Sequence, residues 1–214
     1  MRITKEKTAE NRAALVQAAA RLFRKHGIDG VGVAEISKAA GLTHGALYAH
    51  FPSKEALAAE ALSHGMAHGY KAMASSKAGR ELTLAEYLEF YLSAAHRDNP
   101  AVGCAIAASA SELGRQDAAI SARLTEGFER LVGTIERALQ DLPSRGQARQ
   151  RAVTAVAAMV GGIAMARATQ KANPALSDEI LVAVRRVLGE LGGESVEPKP
   201  APAAASGAGR RKKP

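Results

Sequence analysis

Apolar positions recur at helical spacing along nearly the whole chain. Leu15, Ala18, Ala19, Leu22 and Phe23 fall at i, i+3, i+4, i+7 and i+8, the buried stripe of a first helix. Thr8 is placed to cap it, and Gly27 stands where a helix ends. Residues 1–7 are polar and are expected to be loose. Gly27-Ile-Asp-Gly30 reads as a turn, and a short helix follows over Val33 to Ala40, with Gly41 as its stop. Thr43 is placed to cap a second short helix over 44–50, in which Leu47 and Phe51 are i, i+4 anchors. Pro52 breaks that helix, and Ser53 caps a longer one running from Lys54 into the seventies.

The remaining chain repeats the theme. Thr83-Leu-Ala-Glu86 is a capping box for a helix reaching Arg97, which Asn99-Pro100 ends. A helix from Cys104 to Gly114 comes next. Ile120, Leu124, Leu131, Ile135 and Leu142 track one face of a long helix closed by Pro143. Val153, Val156, Ala157, Val160 and Ala164 form another stripe, ended at Asn173-Pro174. Ser177 caps the last helix, with Ile180, Leu181, Val184, Val187, Leu188 and Leu191 facing inward. Period-2 alternation is absent, so the expectation is an all-α chain of about nine helices. Beyond Gly192 the composition turns to Gly, Pro, Ala and Ser and closes on Arg210, Arg211, Lys212 and Lys213, which reads as a disordered basic tail.

Composition sharpens this picture at four points. The 214 residues are 47% hydrophobic but only 4% aromatic, so the core must be built from Ala, Leu, Val and Ile, as in closely packed helices. Cys104 is the only cysteine, which excludes an internal disulfide and a cysteine zinc cluster and fits a reducing cytoplasm. No run of about 18 apolar residues is uninterrupted, and no apolar signal core stands at the start, so no membrane partner is expected. The net charge of +8 points to a polyanionic partner. That charge is concentrated: residues up to Lys54 hold nine basic and four acidic side chains.

The segment from Gly27 to Glu55 carries the function. A short helix, a Gly-containing turn, a second short helix and then a capped long helix make a helix-turn-helix arrangement. Val33-Ala-Glu-Ile36, Ala39-Ala-Gly-Leu42, Gly45-Ala-Leu-Tyr48 and Phe51-Pro-Ser-Lys-Glu55, following the helix that ends at Gly27, resemble the DNA-binding domain of the TetR/AcrR family of transcriptional regulators. The likeness covers about residues 9–62. It implies a three-helix DNA-binding domain over 1–53, a ligand-binding and dimerisation domain over 54–192, and a tail over 193–214. It implies a homodimer on double-stranded operator DNA, acting most simply as a repressor released by a small-molecule effector. Repression and activation differ only in where the operator lies relative to the promoter.

By resemblance, Thr43 contacts phosphate, His44, Gly45 and Ala46 face the groove, Tyr48 and His50 reach the DNA backbone, and Lys54 holds a phosphate at a helix N-terminus. Two departures from the family pattern stand out. Val31 and Gly32 replace the usual hydroxyl cap of the second helix, and His44 and Ala46 replace the usual Lys and Thr, so operator sequence does not carry over. The family pairs its last two helices with those of a second copy, which assigns Val153, Val156, Val160, Ala164, Val184, Val187, Leu188 and Leu191 to the interface; burial of both stripes within one chain is the alternative. The effector cavity of the family lies among the middle helices, with Met66, Tyr70, Met73, Tyr87, Tyr91, Cys104, Phe128 and Met159 as candidate lining, although residues of these types are more often ordinary core. Few charges fall among them, so a neutral, fairly apolar ligand is expected rather than a polyanion. Some relatives sense electrophiles or oxidants through a cysteine in a Gly-Cys context like that of Cys104; a small buried side chain is the competing reading.

His64 and His68 stand at i, i+4, with His96 elsewhere, but no third ligand is fixed by spacing, so neither metal nor cofactor is expected. P-loop, dinucleotide-glycine and HExxH patterns are missing, which argues against an enzyme on a helical scaffold. A DNA-binding protein without a ligand is the other alternative.

Overall fold

The computed structural model describes residues 4–74, 82–139 and 147–191, with side chains throughout these except at 68–74 and 191. Among the described residues there are nine α-helices and no strand: α1 Lys5–His26, α2 Val33–Ala39, α3 Lys54–Ala74, α4 Leu84–Tyr91, α5 Ala94–Asp98, α6 Ala105–Leu113, α7 Ala118–Leu139, α8 Ala148–Thr169 and α9 Pro174–Leu191. The tail expected over 193–214 and the helix end expected at Leu142 and Pro143 lie outside the described residues.

Several helix ends differ from the sequence expectation, each for a local reason. α1 begins a turn earlier, because the Thr4 hydroxyl accepts from Lys7 N–H at 3.2 Å; Thr8 lies inside the helix and donates to the Thr4 carbonyl. The helix expected to run from Thr83 to Arg97 is split at Leu92. There Ser93 donates to the Phe90 carbonyl and accepts from His96 N–H, competing with the helical ladder and opening a new helix. α9 is capped by Asn173, whose side-chain oxygen accepts from Leu176 N–H at 3.0 Å, with Pro174 in the first position. Ser177 is fully buried instead, donating to the Ala166 carbonyl at 2.7 Å and accepting from Arg97 at 2.9 Å. The capping box Thr83–Glu86 and the Ser53 cap, which accepts from Ala56 N–H, form as expected.

The largest correction concerns residues 44–50. They form a single 3₁₀ turn, His44–Ala46, followed by hydrogen-bonded turns, rather than an α-helix. Two ladder bonds close on Leu47, from His50 and Phe51, and both Leu47 and Phe51 are buried. This element takes its shape from its two anchors more than from its own hydrogen bonds, which suits a 3₁₀ turn's poorer bond geometry.

Two apolar cores result. The first joins α1, α2 and the N-terminal half of α3, through Leu15, Leu22, Phe23, Ile36, Leu57 and Leu62, with Leu47 and Phe51 packed beneath the turn; Ala105, Leu113 and Ile120 of α6 and α7 also enter it. The second joins α4, α6, α7, α8 and α9 around Tyr91, Leu131, Ile135, Val156, Met159 and Ile163. α8 is by length and composition able to cross a membrane, yet it packs against α7 and α9, and 44% of its apolar window is buried there.

Two polar links cross between the cores, both at the C-terminal end of α1. The Glu112 carboxylate, near the end of α6, accepts from Ile28 N–H at 2.9 Å and Asp29 N–H at 2.7 Å. Gly27 is required there: its φ of 80° is left-handed, and a Cβ would sit 3.1 Å from the same carboxylate. In the loop that leads into α6, the Ala101 carbonyl accepts twice from the Arg24 guanidinium, at 2.8 and 2.5 Å. Gly65 of α3 leaves the passage open, since a Cβ there would collide with the guanidinium.

Two consequences are measurable. Leu47→Ala removes the anchor of the 3₁₀ turn and is expected to lower stability by about 2–5 kcal/mol in a denaturant melt. Glu112→Ala strands two backbone N–H groups and is expected to cost about 1–3 kcal/mol, with faster hydrogen exchange at the Ile28 and Asp29 amides.

Candidate functional site

The first site is the surface around the 3₁₀ turn. Thr43, His44, Gly45 and Tyr48 are exposed there, Tyr48 by 57%, and Ala46, His50 and Lys54 are half-buried. Buried Leu47 pulls the turn onto the core and leaves its polar side outward. A Cβ at Gly45 would meet nothing within 4 Å, so the front of the turn is open. Thr43 occupies the cap position, but its hydroxyl makes no capping bond and is directed to no backbone donor. The His44 and Tyr48 rings stand edge to face at 6.5 Å. Lys54 begins α3 beside this face. That helix end already favours negative charge: the backbone N–H of Glu55 and the Ser53 hydroxyl hold the Glu55 carboxyl below its ordinary value.

The basic surplus of the N-terminal region is not all available to a partner. Arg12 forms a two-pronged ion pair with Glu60 and lies over the Phe51 ring, 4.6 Å from its centroid. Arg24 is committed to Ala101. At the head of α2, Gly32 serves as the cap with its carbonyl alone, accepting from Glu35 and Ile36, and supplies no hydroxyl.

The second site is a cavity of about 280 Å³ enclosed by α3, the α4–α5 corner, the loop 99–104, α6 and α7. Of the candidate lining residues, Met66, Tyr91 and Cys104 reach it. Tyr87 and Met159 are buried in the second core, and Phe128 packs against that core, none of them on the cavity wall; the side chains of Tyr70 and Met73 lie outside the described residues. Residues the sequence did not assign to the cavity complete it, notably Phe90, His96, Asn99, Val102, Arg130 and Leu131. No periodicity marks Asn99 and Val102, because they sit in a loop. Gly127 is on the wall because α7 must pass Met66, with which a Cβ would collide.

His96 organises the cavity floor. Cys104 N–H donates to its Nε2 at 2.9 Å, which assigns the proton to Nδ1, and Nδ1 donates to the Tyr91 carbonyl at 2.6 Å. Both ring nitrogens are thereby used within the chain, so His96 is not a metal ligand in this arrangement, and burial lowers its basicity further. Among the described residues no group of three His, Cys, Asp or Glu side chains is placed to hold a metal. The Tyr91 ring stacks edge to face on His96 at 4.7 Å, and burial pushes its phenol well above the ordinary value. Gly103 permits this packing, since a Cβ would lie 2.8 Å from the imidazole. Cys104 caps α6 through its backbone and is half-buried.

Behind the floor, Arg167 donates to the Arg97 and His96 carbonyls at 3.0 and 2.9 Å. Arg97, itself buried, binds Asp98 at 2.7 Å and Asp178 at 2.6 Å, tying α5 to α9.

The third surface is the outer face of α8 and α9. Val153 and Val187 are exposed, Val187 by 52%, and Val160, Ala164 and Val184 are half-buried. Met165 and Val182 extend the exposed apolar surface. Two expected interface positions are corrected: Val156 and Leu188 are buried in the chain's own core, because the inward stripe of α8 runs through Ala152, Val156, Met159 and Ile163. The Leu191 side chain is outside the described residues. Of the paired glycines, Gly162 is the close approach of α8 to α9, with Val184 3.3 Å from a would-be Cβ, whereas Gly161 faces open space.

Comparison with known proteins agrees with this architecture. Residues 15–61 match the family model described as bacterial regulatory proteins, tetR family, and residues 83–177 match that of the LmrA/YxaF-like transcriptional regulator C-terminal domain. The chain is 44% identical over 57 residues to the HTH-type transcriptional regulator TtgR of Pseudomonas putida, and 42% identical over 59 residues to AcrR of Shigella flexneri. Each match spans about a quarter of the relative's length, 27%. Among solved structures, a TetR transcriptional regulator from Chloroflexus aurantiacus is 25% identical with a TM-score of 0.70, covering 88% of this chain and 95% of that one. The reduced form of Escherichia coli NemR shares the fold at 20% identity and a TM-score of 0.67, over 84% of this chain and 95% of that one. With both halves matched by models of one family and the whole fold shared with its solved members, the chain belongs to the TetR family of bacterial regulatory proteins.

Proposed function

We propose that the protein is a cytoplasmic, ligand-responsive transcriptional repressor that binds a palindromic operator as a homodimer and leaves it when a small, fairly apolar effector fills the cavity. One observation carries this reading: the loop that walls the cavity is hydrogen-bonded, through Ala101, to α1, the helix that shares a core with Leu47 and Phe51 of the recognition turn. A cavity without that link would store a ligand; a turn without it would bind DNA unconditionally.

In this reading Thr43, Tyr48, His50 and Lys54 hold phosphates, while His44, Gly45 and Ala46 approach the base edges of the major groove. The exposed Val153 and Val187, with the half-buried Val160, Ala164 and Val184 beside them, meet the same face of a second copy, which places two recognition turns on one duplex. Effector entry displaces the loop 99–104; Arg24 and Glu112, pinning that loop and the last turn of α6 to the end of α1, carry that displacement to the recognition turn. The helical-scaffold enzyme loses ground here, because the cavity's imidazole already spends both nitrogens on backbone groups.

Footprinting tests the first half: a discrete two-fold-symmetric protected site is expected, and diffuse coverage of any DNA would defeat the reading. Tyr48→Ala and Lys54→Ala should weaken binding to all sequences, with Lys54→Ala also reducing the salt slope by about one. Substitutions of His44 should instead change which sequence is preferred. For the second half, Arg24→Met should keep operator affinity within a few-fold while raising the effector concentration needed for release; unchanged release would remove the link from the mechanism.

A further inference from the structure

The charge around the cavity is one-sided. Its wall among the described residues contains no Asp or Glu and one Arg, Arg130 of α7. Two more guanidiniums stand directly behind the wall. Arg24 reaches Ala101 past Gly65, and Arg167 packs against Gly103, where a Cβ would lie 2.9 Å from its Nη2.

None of the three has a carboxylate partner among the described residues. Arg24 and Arg167 donate only to backbone carbonyls, and Arg167 Nη1 is buried with no hydrogen bond at all. Arg130 is exposed on the cavity wall and has no ion pair among the described residues. Asp98 acts on Arg167 only from a distance, since its own oxygens are taken by Arg97 and Gln170. Burial disfavours the charge of both Arg24 and Arg167. A cation withdrawn from water and balanced only by carbonyl dipoles leaves a positive potential in the neighbouring space.

The neutral polar groups of the wall answer that potential only weakly: the Tyr91 hydroxyl is buried without a hydrogen-bond partner among the described residues, and three others are engaged within the chain. His96 uses both nitrogens, Ser93 both donates and accepts within its own turn, and the Asn99 amide nitrogen donates to Ala95. The remaining wall is largely apolar, from Met66, Phe90, Val102, Ile106 and Leu131.

We infer that the cavity selects a small organic monoanion: an apolar body seated on Met66, Ile106 and Leu131, with one carboxylate-like group held by Arg130 in the field of Arg24 and Arg167. This rests on the effector reading of the cavity and narrows it, since a neutral ligand would leave the three guanidiniums unanswered. Arg130 is the residue that discriminates, because a guanidinium receives a carboxylate through two parallel hydrogen bonds. Arg24 and Arg167 are structural donors that bias the site.

The test uses a matched pair of fluorescent probes with the full chain: anilinonaphthalene sulfonate, and N-phenylnaphthylamine, which has the same aromatic body without the anion. The sulfonate is expected to bind at one site per chain about tenfold more tightly, to weaken with salt, and to be displaced by octanoate but not by methyl octanoate. Arg130→Gln, at an exposed position, should abolish most of that preference while leaving N-phenylnaphthylamine binding and the thermal melt unchanged. Equal or tighter binding of the neutral probe, an unaltered ratio in Arg130→Gln, or binding of neither probe would overturn the inference. Operator release separates it from the broader reading. Release by neutral compounds alone refutes the anion and keeps the effector cavity; anion binding at this site with no effect on operator affinity supports the anion and refutes the effector role.

Discussion

The whole arrangement depends on where one guanidinium ends up. Arg24 leaves the last turn of α1, crosses α3 at a residue with no side chain, and terminates on a loop carbonyl rather than on a carboxylate. Its charge is only partly compensated, so its position is held by geometry: two donors of a planar group converge on one oxygen. Moving the loop therefore means moving the end of α1 or breaking both bonds at once. Glu112 makes the complementary contact at the far end of α6, with a carboxylate accepting two backbone donors that the end of α1 would otherwise leave unsatisfied. Held by opposite charges at its last turn and in the loop just ahead of it, this short helix behaves as a strut between the two cores.

The sequence showed the helices and the recognition segment clearly and the cavity poorly, for a physical reason. Helical stripes are written in local spacing, so the buried run from Leu15 to Phe23 and the capping box at Thr83 can be read directly. The anchors Leu47 and Phe51 were legible for the same reason, although the backbone between them tightened into a 3₁₀ turn once tertiary packing fixed both ends. Cavity walls are written in distant pairs. Gly65 and Gly127 carry no sequence signal until Arg24 and Met66 are seen to need their space. Val102 and Asn99 lie in a loop whose course depends on Arg24. Tyr87 and Met159 have the composition of lining residues but belong to the core, since composition does not distinguish a wall from what stands behind it.

Polar side chains account for most of the helix ends that shifted. Ser93 split a continuous apolar pattern into two helices, and Ser177 left its expected capping role to be buried against Arg97 and Ala166. In both cases a hydroxyl found a partner that periodicity does not reveal. The same is true of charge: counting basic residues overstated what is free in the N-terminal region, because Arg12 and Arg24 are spent on Glu60 and Ala101.

The 3₁₀ turn under the exposed tyrosine has one further implication. Its conformation is inherited from two buried side chains, so the residues that project from it contribute little to keeping it folded. His44 and Ala46 are therefore cheap positions to change over evolutionary time. Under the proposed docking, single exchanges there change which DNA is read, on a foundation that does not have to be rebuilt.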